Sequence, residues 1–250
     1  MGAVILAFDT SSALSSVAVL ADGTVLAERS HLDPRRHAEV IGDLFAHVRP
    51  FVDPSNLDAV VCGVGPGPYT GLRVGIAAAL AAGAAWQRPV VGVCSLDAIA
   101  LAHQASAERA RGPVCVATDA RRSEVYWARY DAAGSRVDGP RVSLPTGIDE
   151  NLRGGTWVGH GAAIHADHFA RVDVALDDAT PRAYATASWI ARRAADLIAT
   201  GAVVDDGPDD LDAHGDDTGS TSRSLAGAGL LTPRPLYLRR PDAVAAGGPS

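Results

Sequence analysis

The stretch that decides the fold is AVILAFDTSSALSSVAVLADGTVLAERS, residues 3–30. It contains an apolar run, a polar turn that begins at Asp9, an alternating run, an Asp22–Gly23 turn and a second alternating run, which predicts three strands joined by a turn and a hairpin. Residues 112–137, GPVCVATDARRSEVYWARYDAAGSRV, repeat this design with Asp119 in the place of Asp9. A duplicated unit that opens each half predicts a two-lobed α/β fold with a mixed sheet flanked by helices in each lobe.

The segments between and after the two copies complete the predicted organisation. Periodic apolar residues predict helices at 35–48, 71–87 and 95–110, separated by apolar strands. We therefore assign residues 1–110 to an N-terminal lobe and 111–250 to a C-terminal lobe. Asp, Gly, Ser and Thr dominate residues 205–229, which predicts a disordered insertion there. The final PLYLRRP is expected to run extended and to pack back onto the fold.

Composition excludes several classes of protein. The net charge is −7, which argues against a surface that grips a nucleic-acid backbone, and the chain contains no lysine, which excludes Schiff-base and Walker-type lysines. Cys62, Cys94 and Cys115 each lie in an apolar run, as expected for reduced, buried thiols. The apolar N-terminus has no preceding basic segment and is predicted to be a strand. No helix reaches the roughly 20 apolar residues of a membrane span, so we expect a cytoplasmic protein without membrane contact.

The glycine-rich stretch GVGPGPYTGLRVG, residues 63–75, is a poor phosphate site. A dinucleotide fingerprint would need a third glycine where Pro68 stands, and Pro66 and Pro68 remove two N–H donors. A rigid turn between a strand and a helix is the better interpretation. The residues assigned to this structural loop are Gly65, Pro66, Gly67, Tyr69, Thr70, Gly71 and Arg73.

The helix after this loop has a face of small residues at intervals of four: Gly75, Ala79 and Gly83. Such a face allows a second helix to approach closely, either within the subunit or across a partner interface, and both alternatives stay open. The helix at 35–48 has enough apolar positions to supply the other half of an interface. The residues predicted for a partner interface are His37, Ile41, Leu44, Phe45, Val48, Leu72, Gly75, Ile76, Ala79 and Gly83.

Six segments, in order and with matching spacing, resemble the TsaB (YeaZ) family, a subunit of the bacterial machinery that makes N6-threonylcarbamoyladenosine in tRNA. They are ILAFDTSSALSSVAVL, DPRRHAEVI, GPGPYTGLRVGIAAALAAG, VVGVCSLDAIA, ATDARRSEVYWARYD and PLYLRR. The resemblance covers residues 4–130 and 156–240 apart from the predicted insertion. It implies a two-lobed fold of the actin-like ATPase (ASKHA) superfamily, in agreement with the internal repeat.

The resemblance also implies a catalytic paralogue, TsaD, which carries a His-x-x-x-His metal pair where this chain has Ser95 and Ile99. The turns that hold nucleotide in active members of the superfamily read DTSSA and DARRS here, without glycine. We expect their aspartates to cap the turns instead. The degenerate nucleotide loops are assigned to Asp9, Thr10, Ser11, Asp119 and Arg121. No catalytic residue, metal or cofactor is expected in this chain, and ATP and metal are expected on the partner subunits.

The function implied by the resemblance is that of a non-catalytic scaffold and activating subunit. It would form a heterodimer with TsaD and support a small P-loop ATPase, TsaE. It would contact tRNA mainly through the complex, which adds threonylcarbamoyl to adenosine 37 of tRNAs decoding ANN codons. Without the partner, the same surface is expected to form an isologous homodimer. Two alternatives stay open: an active actin-like ATPase or kinase, which Mg-ATP binding would support, and a metal-dependent peptidase, which would need a metal or nucleophile.

Overall fold

The computed structural model describes residues 2–106, 112–177, 180–205 and 229–238. Most of the predicted insertion, residues 206–228, lies outside these ranges. Among the helices that are described, none is long and apolar enough to cross a membrane.

The first lobe is built on the opening repeat. Its strands are β1 (Val4–Asp9), β2 (Leu14–Ala21), β3 (Thr24–Leu32), β4 (Ala59–Gly65) and β5 (Val90–Cys94). β1 lies at the centre, antiparallel to β2 and parallel to β4, and β3 and β5 lie outside them. β1, β2 and β4 are buried along almost their whole length, which explains why their sequences are apolar at nearly every position. Asp22 and Gly23 both have positive φ, 49° and 76°, so the predicted hairpin turn is confirmed.

Three helices belong to this lobe: α1 (His37–Val48), α2 (Tyr69–Trp86) and α3 (Ser95–Gln104). α2 connects the parallel strands β4 and β5. It ends at Trp86 and is capped by Gln87, a left-handed residue with φ 53° that directs the chain towards Pro89 and β5.

The second sheet repeats the first. Its strands are β6 (Val114–Asp119), β7 (Val125–Tyr130), β8 (Arg136–Ser143), β9 (Thr156–Val158) and β10 (Arg171–Val172). The strand order β10-β9-β6-β7-β8 reproduces β5-β4-β1-β2-β3 with the same directions of pairing. The predicted duplication and the two-lobed actin-like architecture are therefore confirmed.

The two copies differ in their helices. The helices of the second copy that correspond to α1 and α2 are α4 (Glu150–Arg153) and α5 (His160–Ile164), which have 4 and 5 residues against 12 and 18. Of the described parts of the two lobes, only the first thus carries a pair of long helices on this face.

The end of the chain returns to the first lobe. Helix α6 (Ala187–Ala199) packs on β1 and β2, and β11 (Val204–Asp205) and β12 (Leu230–Leu231) extend the first sheet beyond β5. The predicted boundary at residue 110 correctly separates β1–β5 from β6–β10. It also assigns α6, β11 and β12 to the C-terminal lobe, although these elements pack on the first sheet or belong to it. An apolar face in the sequence shows that a helix is covered, and only the tertiary structure shows by which sheet.

A buried polar cluster joins the lobes. Asp97 on α3 accepts a hydrogen bond from the Tyr130 hydroxyl (2.7 Å), and its carboxylate lies 3.5 Å from Nε of Arg136. The Asp97 and Arg136 side chains are 2% and 1% exposed. Burial, and next the charge of Asp97, raises the pKa of Tyr130, which keeps its hydroxyl protonated as the donor. The cluster fixes α3 of the first lobe against β7 and β8 of the second.

Candidate functional site

The turn after β1 is closed by its own aspartate. Asp9 is completely buried; one carboxylate oxygen accepts hydrogen bonds from the backbone N–H (3.0 Å) and the hydroxyl (2.9 Å) of Ser11, and the other accepts from the Ser95 hydroxyl (3.0 Å). Burial raises the pKa of Asp9 to about 6, and the hydrogen bonds from Ser11 and Ser95 oppose this shift. The predicted Asx-type capping of the turn is confirmed, and every contact of this carboxylate is internal.

Thr10 connects the same turn to α2. Its hydroxyl donates to the carbonyl of Gly71 (2.7 Å) and accepts from the backbone N–H of Gly75 (2.9 Å). The glycine loop therefore fits closely against the turn: a side chain at Gly63 would meet the Asp9 carboxylate, and one at Gly67 would meet the Ser11 carbonyl. The glycines of this stretch serve close internal packing, as predicted for a structural loop.

Ser95 and Ile99 occupy the positions at which the resemblance implies the two metal-binding histidines of the catalytic paralogue. The Ser95 hydroxyl donates to Asp9 and accepts from the backbone N–H of Gly65 (3.2 Å), so it joins the turn to the loop. Ile99 is completely buried in the core. Within the described ranges, no three His, Cys, Asp or Glu side chains are grouped as metal ligands would be.

The turn after β6 is the counterpart of the Asp9 turn. Asp119 accepts a hydrogen bond from the backbone N–H of Arg121 (2.8 Å), and the Arg121 guanidinium lies 3.3 Å from its second oxygen. Between the two turns is a cleft of about 210 Å³, which Ser12 and His160 also line. Pockets that bind small-molecule ligands typically measure roughly 300–1,000 Å³. The cleft is thus small, and an Asp–Arg ion pair lies at its wall.

A second polar pair, Ser15 and His37, bears on the peptidase alternative. The Ser15 hydroxyl and His37 Nδ1 are 2.7 Å apart, a hydrogen bond of the kind that activates a serine nucleophile. Ser15 is 0% exposed and His37 is 7% exposed. A substrate could not reach this hydroxyl, and the pair holds β2 against the first turn of α1.

Most residues predicted for the partner interface are internal. Gly75 packs against Thr10 and Gly83 against Val90, and Ala79 is 0% exposed. The small-residue face of α2 therefore faces the sheet, and the prediction that it is available to a partner is wrong. The same holds for the other buried members of that set: His37, Leu44, Val48, Leu72 and Ile76.

Two of the predicted residues do line a surface. Ile41 and Phe45 of α1, both half-buried, lie in an apolar groove of about 420 Å³ between α1 and α2. The groove has further walls that the sequence did not indicate: Phe8, Gly42, Ala78, Ala81, Ala82, Ala85 and Trp86. The missed signal is the run of alanines at 77, 78, 81, 84 and 85, which are exposed or half-buried although they are apolar.

One exposed feature joins the glycine loop to the end of the described chain. The rings of Tyr69 and Tyr237 are stacked with centroids 4.7 Å apart. The Arg73 guanidinium lies 3.8 Å from the centroid of Tyr69, and its Nε donates to the Tyr237 hydroxyl (3.0 Å). Leu238 is buried, which confirms that PLYLRRP packs back onto the fold as far as it is described. Sequence reasoning assigned Tyr69 and Arg73 to a structural loop and did not connect them with Tyr237.

Comparisons with known proteins agree with this architecture. A family model described as "TsaD: tRNA N6-adenosine threonylcarbamoyltransferase" matches residues 25–142. An uncharacterized protein of Mycobacterium leprae is 46% identical over 152 residues, which cover 58% of this chain and 40% of that protein. An uncharacterized protein of Mycobacterium tuberculosis H37Rv is 36% identical over 243 residues, which cover 96% of this chain and 93% of that one.

A named relative and a solved structure identify the family. The tRNA threonylcarbamoyladenosine biosynthesis protein TsaB of Escherichia coli K12 is 32% identical over 170 residues, which cover 65% of this chain and 72% of that protein. A crystal structure from Pseudomonas aeruginosa, of a protein described as similar to peptidase YEAZ, superposes with a TM-score of 0.65 at 28% identity over 80% of this chain and 93% of that one. With the fold and the repeat described above, these similarities show that the chain belongs to the TsaB (YeaZ) family.

Proposed function

We propose that this chain is a non-catalytic subunit of the cytoplasmic assembly that adds threonylcarbamoyl to adenosine 37 of tRNA, and that it acts by pairing with the catalytic TsaD-like paralogue. Relatives named for tRNA threonylcarbamoyladenosine biosynthesis support the process. The observation that carries the pairing is the apolar groove between α1 and α2, because a hydrophobic groove of this kind can receive the apolar face of a helix from a partner.

The groove suits a helical partner. Its floor and walls are alanines, one glycine, Ile41 and three aromatic rings, so a helix or helix pair from another chain can approach closely and cover Phe45 and Trp86. Because the second lobe has only one-turn helices in the equivalent places, the paralogue is expected to dock on the first lobe alone. A stable pair buries about 1,600 Å² in total, which is more than the groove alone offers, so the exposed faces of both helices would contribute.

The proposed absence of catalysis rests on how the two aspartate turns and the position of Ile99 are used. The Asp9 carboxylate is occupied by Ser11 and Ser95, Ile99 lies in the core, and the interlobe cleft is narrow. ATP and metal would be held by partner subunits, including a TsaE-like ATPase, and tRNA would be met through the assembled complex. In the absence of the paralogue, the same groove would be covered by a second copy of this chain.

Pairing is tested with a substitution on the exposed side of α2. Ala81→Arg places a charge in the groove without disturbing the core, since Ala81 is exposed, whereas Ala79→Arg would have to be buried in the core and would unfold the lobe. Ala199→Arg is the matched control, because it also changes an exposed helical alanine, on α6. Size-exclusion chromatography with light scattering, on each variant mixed with the TsaD-like paralogue, measures pairing, and a tRNA-modification assay measures its consequence.

We expect Ala81→Arg to abolish both pairing and modification and Ala199→Arg to leave both unchanged. Normal pairing by Ala81→Arg would remove the groove from the interface. The non-catalytic role is tested with Asp119→Asn, in which the amide oxygen still accepts from Arg121. Unchanged modification by the assembled complex is expected, and its loss with pairing intact would show that the cleft takes part in the chemistry.

A further inference from the structure

Arg73 is exposed and yet held in place by its neighbours. Its guanidinium lies 3.8 Å from the centre of the Tyr69 ring, and its Nε donates to the hydroxyl of Tyr237 at 3.0 Å. The hydrogen bond uses one of the five N–H donors of an arginine. The side chain is therefore oriented, while most of its donors remain for another molecule.

The tyrosines that hold it are themselves fixed. Tyr69 is the first residue of α2. Tyr237 lies between Leu236, whose backbone N–H donates to the carbonyl of Val64 (2.8 Å), and Leu238, which is 1% exposed. The two rings stack at an interplanar angle of 19°. The end of the described chain thus brings a residue 164 positions away to orient Arg73.

Arg73 also lies on the exposed side of α2 that borders the groove. Residues spaced by four share one side of a helix, so Arg73, Ala77 and Ala81 form one exposed stripe along α2. Ala81 lines the groove, and Arg73 stands at the end of the stripe near the start of the helix. It is the one charged residue of α2, so a partner covering the stripe meets alanines and then a single guanidinium.

We propose that Arg73 is an anchor of the partner interface and that it receives a carboxylate of the protein that docks in the α1–α2 groove. This inference rests on the proposed function. Arginine and tyrosine are, with tryptophan, enriched at the energetic centres of interfaces, and an arginine oriented in advance loses little side-chain entropy on binding. Its planar fork fits a carboxylate.

A protein carboxylate fits this surface better than an RNA phosphate. A nucleic-acid surface needs clustered cations, whereas the other exposed residues of α2 are Thr70, Leu80 and alanines, and the chain as a whole carries a charge of −7. On the α1 side, the Arg49 guanidinium lies 5.1 Å from the centre of the Trp86 ring that lines the groove, whereas Glu39 and Asp43, two positions before Ile41 and Phe45, face away from the groove. The interface would therefore offer two separated guanidinium groups, Arg73 and Arg49, to carboxylates of the partner, which would help to set its orientation.

The test measures pairing with the TsaD-like paralogue by titration calorimetry. We expect Arg73→Ala to weaken the pair about 30-fold, the usual loss at an interface hot spot. Arg73→Glu should weaken it further, because it repels the carboxylate. Tyr237→Phe, which keeps the ring and removes the hydroxyl that orients Arg73, should weaken it a few-fold. Arg171→Glu, an equal change of charge at an exposed site on β10, is the matched control and should pair normally.

The outcomes separate this inference from the proposed function. If Arg73→Glu pairs normally while Ala81→Arg does not, the groove is the interface but Arg73 is not its anchor. If both pair normally, the proposed function fails as well. If Arg73→Glu leaves pairing intact and weakens tRNA binding by the complex, Arg73 meets a phosphate and the inference is overturned. Thermal unfolding of each variant shows that the lobe remains folded.

Discussion

The buried contact between the lobes gives the sharpest prediction about stability. Asp97→Asn keeps an oxygen that accepts from Tyr130 but removes the negative charge beside Arg136, whose side chain is 1% exposed. Removing one partner of a buried ion pair costs roughly 3–5 kcal/mol, since the remaining charge is left without compensation. With a urea m-value of about 3 kcal/mol/M for a domain of this size, we expect the unfolding midpoint to fall by about 1 M or more.

A double-mutant cycle tests the reasoning. Arg136→Met alone leaves Asp97 charged and buried and should cost a similar amount, but the double variant removes both charges. We expect the double variant to be more stable than the sum of the two changes predicts by about 2–3 kcal/mol. Arg141→Met is the control, because Arg141 and Asp138 form an ion pair whose arginine is 40% exposed, and its loss should cost about 1 kcal/mol or less.

Equilibrium unfolding in urea, followed by tryptophan fluorescence, measures each free energy. Two results would refute the role of the buried ion pair. One is that Asp97→Asn or Arg136→Met lowers the unfolding free energy no more than Arg141→Met does. The other is that the loss in the double variant equals the sum of the two single losses. Either would mean that solvent reaches the cluster and screens its charges.

Two further predictions concern the Asp9 turn and its contact with α2. Gly75→Ala should destabilise the protein by about 1–3 kcal/mol, because the added Cβ would lie 2.5 Å from the fixed Thr10 Oγ1. Gly42→Ala is the control: the space around Gly42 is open, so this change should stabilise the protein by roughly 0.5–1 kcal/mol. Equal effects of the two changes in chemical unfolding would contradict this prediction. The raised pKa of Asp9, about 6 against 3.8, means that the native state holds the Asp9 proton more tightly than the unfolded chain does. The contribution of Asp9 to the free energy of unfolding should therefore fall by about 2 kcal/mol as the pH rises from 4 to 6. Asp9→Asn should remove this pH dependence of the unfolding free energy. Burial lowers the pKa of His37, which acts in the opposite direction but equally in the wild type and in Asp9→Asn. Parallel pH profiles of the wild type and the variant would therefore disprove the role of Asp9.

Local chemistry explains why some features were predictable. The Asp22–Gly23 hairpin and the Asx-type turns at Asp9 and Asp119 depend on residues within a few positions of one another, and the structure has them as predicted. The three cysteines are buried thiols, as their apolar surroundings indicated.

The candidate site was less predictable. α2 carries apolar residues around its whole circumference, so its sequence does not reveal which side faces the sheet. The assignment of Gly75, Ala79 and Gly83 to a partner interface is wrong because these residues are buried within the subunit. The true reason for those glycines is a close approach by β5 and the Asp9 turn, which periodicity along one helix cannot show. The groove and the Arg73 cluster depend on contacts between distant segments.

The sequence by itself determined the duplicated strand–turn–strand plan, the capping of the two turns and the membership of the family, because each of these depends on local residue types and their order. The tertiary structure alone decided which lobe α6 joins, which face of α2 meets solvent, and that Tyr237 reaches Arg73. These are properties of long-range packing, in which the burial of apolar area chooses among faces and partners that the local sequence leaves equivalent.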